Sequence, residues 1–280
     1  MARATTPLLL VDIGNTAIHW ALYDGEWGPG RRLWTRDIET FGAHYDSEIG
    51  MARAGSRPEV AVICSVVPQG SERVTAELER RAIQALLLGH SIEAQMSVRY
   101  VEPTQLGQDR LANAVAAYDR VRGAVLIVDV GTAITVDVVS PDGVFLGGAI
   151  APGPHHAWRG LMAGVHGPGF ATVHPGWLER PYTDVKPIGH STQECLDAGL
   201  QIGFAGLIDR LIREQRLSLG VEAPVLWTGG GAEMLRPLSD EPGELDDLLT
   251  LRGLALIYEA SLAGASAAQR ADGLEGGGGC

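Results

Sequence analysis

Two stretches of the chain, LLLVDIGNTAIHWALYDG starting at Leu8 and AVLIVDVGTAITVDVVSPDG starting at Ala124, follow one plan. Each is an apolar run that exits into Asp-x-Gly, then a second β-like stretch, then an Asp-Gly turn at Asp24-Gly25 or Asp142-Gly143. Apolar runs of this length read as buried strands, so a carboxylate at the exit needs a reason. Asp12 and Asp129 stand a domain's length apart. The recurrence therefore predicts two related domains, each opening with strand, glycine loop, strand and turn.

The segments between and after the copies alternate strand and helix signals. EVAVICSVVP (59–68) reads as a buried strand stopped by proline, and SERVTAELERRAIQALLLG (71–89) as a helix with Ser71 as cap and Gly89 as stop. After GQDR, the spacing of Leu111, Ala114, Val115, Tyr118 and Val121 predicts a helix with Asp109 and Arg110 in its first turn. Leu196, Leu200, Phe204, Leu207 and Leu211 form one apolar helical stripe, opened by a capping box of Ser191 and Glu194. APVLWTGGGAEML (223–235) reads as strand, glycine turn and helix start. The alternation predicts an α/β protein. Its domains are expected at 1–122 and 123–265, with a flexible tail over 266–280.

Composition narrows the function classes. Among 280 residues, 34 acids against 22 bases give a formal net charge of −12, which argues against nucleic acid or an anionic membrane as partner. Three scattered cysteines, Cys64, Cys195 and Cys280, suit a reducing compartment, and Cys64 and Cys195 read as inert core thiols. The first apolar run is cut by Asp12, so neither a signal peptide nor a membrane span is expected, and the protein is expected to be cytoplasmic.

Asp-x-Gly-Asn-Thr offers a carboxylate, a glycine turn and polar donors within five residues. Such a turn accepts phosphate oxygens while the carboxylate holds Mg²⁺, often through water. A single copy would more often be an Asx turn ending a strand. Two copies, with a third glycine loop at Thr228-Gly229-Gly230-Gly231, favour a nucleotide held between two domains. Neither a Walker motif nor a G-x-G-x-x-G fingerprint is present.

YVEPTQLGQDR (100–110) brings Tyr100, Gly107, Gln108, Asp109 and Arg110 to a helix start. An aspartate there commonly serves the helix dipole, but an arginine is less at home in that field and suits an anionic partner. Asp109 could accept a proton from a substrate hydroxyl. A carboxylate is a weak base, which phosphoryl transfer tolerates because positioning dominates. His155, His156, His166 and His174 match no compact metal site. Thr192, beside Ser191, reads first as part of a helix cap.

In order along the chain, DIGNT, CSVVP, Y…GQDR, DVGTAITVD, GGAIAPG, GHSTQECLDAG, TGG and LRGL resemble the type III pantothenate kinases, over roughly 8–256. The resemblance implies two tandem ribonuclease-H-like domains of the actin-like ATPase and kinase architecture, with a cleft between them, and a homodimer. It implies ATP-dependent phosphorylation of pantothenate, the first step towards coenzyme A. Asp12, Ile13, Gly14, Asn15, Thr16, Ala17, Ile18 and His19 would form the ATP loop, and Thr132 would also contact ATP. Asp109 would accept the proton. Tyr100, Gly107, Gln108, Asp109, Arg110 and Thr192 would bind pantothenate, Thr192 across the dimer. Asp129 would bind a monovalent cation, K⁺ or NH₄⁺, and Asp12 would serve Mg²⁺. The chain departs from the family at Leu111, where tryptophan is frequent, and in the histidine- and glycine-rich segment 154–176. Another kinase or phosphatase of the superfamily, or a non-catalytic actin-like nucleotide-binding protein, would share the loops but not GQDR beside Tyr100.

Overall fold

The structure, a computed structural model, describes residues 7–51, 57–165, 185–241 and 243–275. The chain forms two compact units: 1–96, 104–116 and 248–280 make the first, and 97–103 with 117–247 the second.

The first unit opens with β1 (Leu8–Ile13), β2 (Ala17–Tyr23) and β3 (Arg31–Trp34), which meander antiparallel. Then come α1 (Phe41–Met51), β4 (Val60–Ser65), α2 (Pro68–Glu79) and β5 (Gln84–Leu87), with β4 parallel to β1 and β5 parallel to β4. The sheet order is β3-β2-β1-β4-β5. Helix α3 (Gln108–Val121) follows.

The second unit repeats the plan. β6 (Val125–Val130), β7 (Ala133–Val139) and β8 (Phe145–Pro152) run antiparallel, followed by α4 (Pro154–Gly164) and α5 (Thr192–Leu219). Then β9 (Val225–Thr228), α6 (Ala232–Leu235) and β10 (Glu244–Leu245) complete an order of β8-β7-β6-β9-β10. The two sheets therefore share strand order and direction, as the repeated sequence predicts. The last helix is α7 (Leu249–Glu275).

Alternation along β1 explains its apolar run. Leu9, Val11 and Ile13 face one core with Ile63, Val74 and Leu78, while Leu8 and Leu10 face another with Val62, Ala112 and Leu254. Both faces are covered, so both sets of positions are apolar. In the second unit the stripe Leu196, Leu200, Phe204, Leu207 and Leu211 of α5 packs on a core that holds Val128, Val136 and Trp227. The Ser191 hydroxyl caps this helix by accepting from Glu194 N at 3.2 Å. The reciprocal bond is shifted by one residue: Glu194 Oε2 accepts from His190 N at 2.7 Å. Gly220, at φ 72°, ends it.

Two expectations for 71–89 are corrected. Ser71 is not a cap, since Pro68 begins α2 at its first position and Ser71 lies inside the helix. That helix ends at Glu79, the chain turns at Ala82 with φ 58°, and AIQALLLG supplies β5. Leucines at 86 and 87 fit either state, and parallel pairing with β4 decides for the strand. The expected cut into 1–122 and 123–265 also differs from the compact units, because Leu251, Leu254, Ala255 and Ile257 of α7 join the first unit's core. Helix α7 runs to Glu275, through the alanine-rich sequence that follows 264; 276–280 lie outside the described residues.

Candidate active site

At the carboxyl end of β1 the face that carries Leu8 and Leu10 continues to Asp12. Asp12 pairs in register with His19 on β2 and with Cys64 on β4. Directly paired residues share a face, so His19, Asp12 and Cys64 form a row across three adjacent strands. The Cys64 thiol donates to Asp12 Oδ1 at 3.2 Å. Burial pushes the Cys64 pKa well above its ordinary value, and the negative charges of Asp12 and then Asp109 add to the effect. The thiol therefore stays protonated and remains a donor. Burial, reinforced by the Arg32 charge, lowers the His19 pKa to about 4, so its imidazole is neutral at physiological pH.

Between β1 and β2 the loop is closed by Gly14 N donating to Ala17 O at 3.0 Å. Thr35 clamps it from outside: its hydroxyl donates to Gly14 O at 2.7 Å and its N–H to Thr16 O at 3.0 Å. Asn15 at the tip is exposed. This fixed, small-residue turn at a strand exit is the kind of place where backbone groups can meet phosphate.

Asp109 stands in the first turn of α3, in the same unit, where its Oδ1 accepts from Arg110 N at 2.8 Å. A Cβ at residue 107 would lie 2.5 Å from that same oxygen. Glycine there is a matter of space: it lets the carboxylate fold back over the chain. Arg110 is 6% exposed, so its charge is held inside the fold. The side-chain Oε1 of Gln108 is buried without a hydrogen-bond partner.

The second unit carries the echo. Asp129 pairs in register with Thr135 on β7 and with Thr228 on β9, so two hydroxyl side chains flank it. The Thr135 Oγ1 is buried and has no hydrogen-bond partner. Gly229 closes over the carboxylate; a Cβ there would collide with Asp129 Oδ1 and lie 2.7 Å from Val130 N. Thr132 O accepts from Gly153 N at 3.0 Å, which ties the hairpin loop to the start of α4.

Asp12, Ile13, Gly14, Asn15, Thr16, Ala17, Ile18 and His19 share the first unit with Gly107, Gln108, Asp109 and Arg110, and the charges of Asp12 and Asp109 both reach Cys64. Asp129, Thr132, Tyr100 and Thr192 belong to the second. Tyr100 packs on Phe145 with ring centroids 6.1 Å apart. Thr192 is the first residue of α5, and Ser191 alone makes the cap bond. The sequence pattern assigns Thr135 no role and Cys64 only that of an inert core thiol. Cys64 is buried as expected but touches a carboxylate, and Cys195, expected in the core, is exposed. His155 and His156 lie on α4, whereas His166 and His174 fall outside the described residues.

A model of the type III pantothenate kinase family matches residues 8–214. The chain belongs to that family. It is 36% identical over 262 residues to the type III pantothenate kinase of Thermomicrobium roseum, covering 90% of this chain and 96% of the relative. It is 32% identical over 264 residues to that of Moorella thermoacetica, with 90% and 98% covered. Among solved structures, the chain is similar to MreB 5 of Spiroplasma citri bound to AMPPNP, with a TM-score of 0.56 at 10% identity, covering 95% of this chain and all of that one. It is also similar to the activator of 2-hydroxyisocaproyl-CoA dehydratase from Clostridium difficile, with a TM-score of 0.53 at 14% identity and 93% and 97% covered. These likenesses establish the actin-like fold of the kinase. Only the family match separates it from other proteins that share that fold.

Proposed function

We propose that Asp109 is the proton acceptor in the reaction of this enzyme, the ATP-dependent phosphorylation of pantothenate on the way to coenzyme A. The observation that carries the assignment is the first turn of α3. There a carboxylate folds over a glycine, next to a buried arginine and in the same unit as the Asp12 loop.

The reaction joins a substrate hydroxyl oxygen to the γ-phosphorus of ATP, breaks the bond to the bridging oxygen and releases ADP. The hydroxyl proton passes to Asp109. A loose transition state asks chiefly for placement, so the protein's task is to aim the hydroxyl and cradle the phosphates. Arg110 takes the pantothenate carboxylate, and Gly107, Gln108, Tyr100 and Thr192 complete the substrate set. Residues 12–19 hold the ATP phosphates, with Thr132 as a further contact.

Mg²⁺ would rest on Asp12, with water and phosphate oxygens completing its shell, a usual arrangement for this ion. A monovalent cation fits Asp129 better. Thr135 presents a buried, unpartnered oxygen on the neighbouring strand, and Gly229 leaves room over the carboxylate. Oxygen donors suit a hard cation. When bound, the two ions screen phosphate charge.

We read the enzyme as a homodimer. Gly199, Gly203 and Gly206 of α5 have open space where a side chain would stand, and Ile202 on the same face is 40% exposed. A solution mass of two chains is the expected reading. No helix among the described residues is long and apolar enough to cross a membrane; we read the enzyme as cytoplasmic, which cell fractionation checks.

The decisive experiment is Asp109→Asn assayed by ADP release with and without pantothenate. The expected outcome is a loss of kcat of roughly 10²- to 10⁴-fold, the usual span for a removed general base. ATP affinity should stay within about twofold, since the change lies outside the phosphate loop. An unchanged kcat would take the role from Asp109.

A further inference from the structure

We infer that Cys64 is a positioning residue for the phosphate loop, acting through Asp12; the inference rests on the reading of Asp12 as a nucleotide-binding group. Cys64 is fully buried at the end of β4, where Leu8, Leu10, Ala21 and Val62 make up the apolar face beside it. An ordinary apolar residue would fill that position as well by volume. The thiol instead donates to Asp12 Oδ1 at 3.2 Å, from the residue that pairs with Asp12 in register. The donor is carried by β4, between β1 and β5, and its own backbone is held in register against Asp12 of β1, one residue beyond the last β4–β5 pair, Ile63 with Leu87. It therefore helps hold one carboxylate oxygen, Oδ1, in place.

The neighbouring residues do not supply an equivalent hold from that strand. Ser65, next along β4, points to the opposite face by alternation, and its hydroxyl both donates to Val67 O and accepts from Val67 N, at 3.0 Å each. On the other side His19 occupies the paired position of β2. The Cys64 thiol is thus the donor that β4 brings to Asp12. Orienting a metal- or phosphate-facing carboxylate through a hydrogen bond from behind is a general way of fixing its geometry.

Three substitutions at Cys64 and one at Asp12 test the inference. Cys64→Val removes the donor and adds about a methyl's bulk, Cys64→Ala removes the donor and the bulk of the sulfur, and Cys64→Ser keeps a hydroxyl donor. The readouts are the dissociation constant of ATP with Mg²⁺, measured by calorimetry without pantothenate, the KM of each substrate, and thermal unfolding. Cys64→Val is expected to weaken ATP binding and raise the KM for ATP about 5- to 10-fold, the scale of one lost ordinary hydrogen bond, since a thiol is a weak donor. The KM for pantothenate should move less than twofold. Cys64→Ser should recover most of the ATP affinity, although Cys64→Val is the better filler of an apolar site. Asp12→Asn should weaken ATP binding as well, and in the double variant Asp12→Asn, Cys64→Val the two losses should not add. If Cys64→Val binds ATP like the parent, or if Cys64→Ser is worse than Cys64→Val, while Asp12→Asn is impaired, the positioning role is overturned and the reading of Asp12 stands. If Asp12→Asn itself binds ATP normally, both are overturned. Should Cys64→Val unfold at a lower temperature with equal damage to both KM values, Cys64 is a packing residue and the inference fails.

Discussion

The two units fold the same strand order around an aspartate at the exit of their first strand, yet they surround that aspartate with different chemistry. Asp12 is flanked by a thiol and an imidazole, Asp129 by two threonine hydroxyls. The hairpin loops differ too. Ile13 pairs with Ile18 in the first and Val130 with Ile134 in the second, so the first loop is longer by one residue, matching Asn15 in the sequence. After the parallel strand, the first unit has Ser65 bonded to Val67, whereas the second has bare glycine pressed against Asp129. Topology alone therefore assigns no role. The donors in the adjacent strands decide what each carboxylate can hold.

Substituting the glycines tests this contrast most severely. Gly229 has φ 89°, and a Cβ there would collide with Asp129 Oδ1 and stand 2.7 Å from the Val130 backbone. A left-handed conformation costs an L residue about 1–2 kcal/mol, and forced overlap in a packed site about 1–3 kcal/mol more. Gly229→Ala should lose roughly 3 kcal/mol in denaturant unfolding and most activity. Gly131→Ala, whose Cβ would meet nothing nearer than 3.7 Å, should lose under about 1 kcal/mol. Gly14→Ala should fall between, since its Cβ would sit 3.1 Å from Ala17 O. Equal losses at 229 and 131 would show that close approach to Asp129 does not matter.

Much of this was legible in the chain. β2 and β7 are the stretches AIHWALY and AITVDVV read directly from pattern, and Asp109 falls in the first turn of α3 as helical spacing predicts. Failures came where a distant partner decides. RRAIQALLL carries leucines that suit a helix, and only β4 alongside makes 84–87 a strand. The docking of α7 on the first sheet joins residues at opposite ends of the chain, which no local pattern records. For the same reason the sequence pattern assigns Thr135 no role and Cys64 only that of an inert core thiol: cross-strand register, invisible in a linear reading, sets each beside an aspartate. The alternating residues of DVGTAIT offered a signal for Thr135 once the hairpin was assumed.

A milder test addresses the cation. If the hydroxyl row makes Asp129 the monovalent site, Thr135→Val should raise the K⁺ concentration for half-maximal activity roughly tenfold, the effect of losing one polar contact to a charge. The matching change beside Asp12, His19→Val, should shift that midpoint by less than about twofold, whatever it does to turnover. Titrating each variant with K⁺ against an Na⁺ background reads both values. Equal shifts would mean that the donor difference between the rows does not select the ion.

The smallest expected effect concerns His19, which has no titratable counterpart beside Asp129. Its pKa is lowered to about 4 by burial and by Arg32, against an ordinary value of 6.5. The unfolded chain therefore binds a proton between those two values that the folded chain refuses. Stability must then rise with pH across that window and fall as pH drops from 6.5 towards 4. Carboxylates also titrate there, so the informative quantity is the difference between the parent and His19→Gln, which removes the imidazole but keeps a polar side chain. Unfolding midpoints at pH 7.5, 6, 5 and 4 should show a shallower fall in the variant, with the gap between the two proteins opening below about pH 6.5. Parallel curves would mean that His19 takes its proton in the folded enzyme as readily as in the unfolded chain. The row beside Asp12 would then be open to solvent.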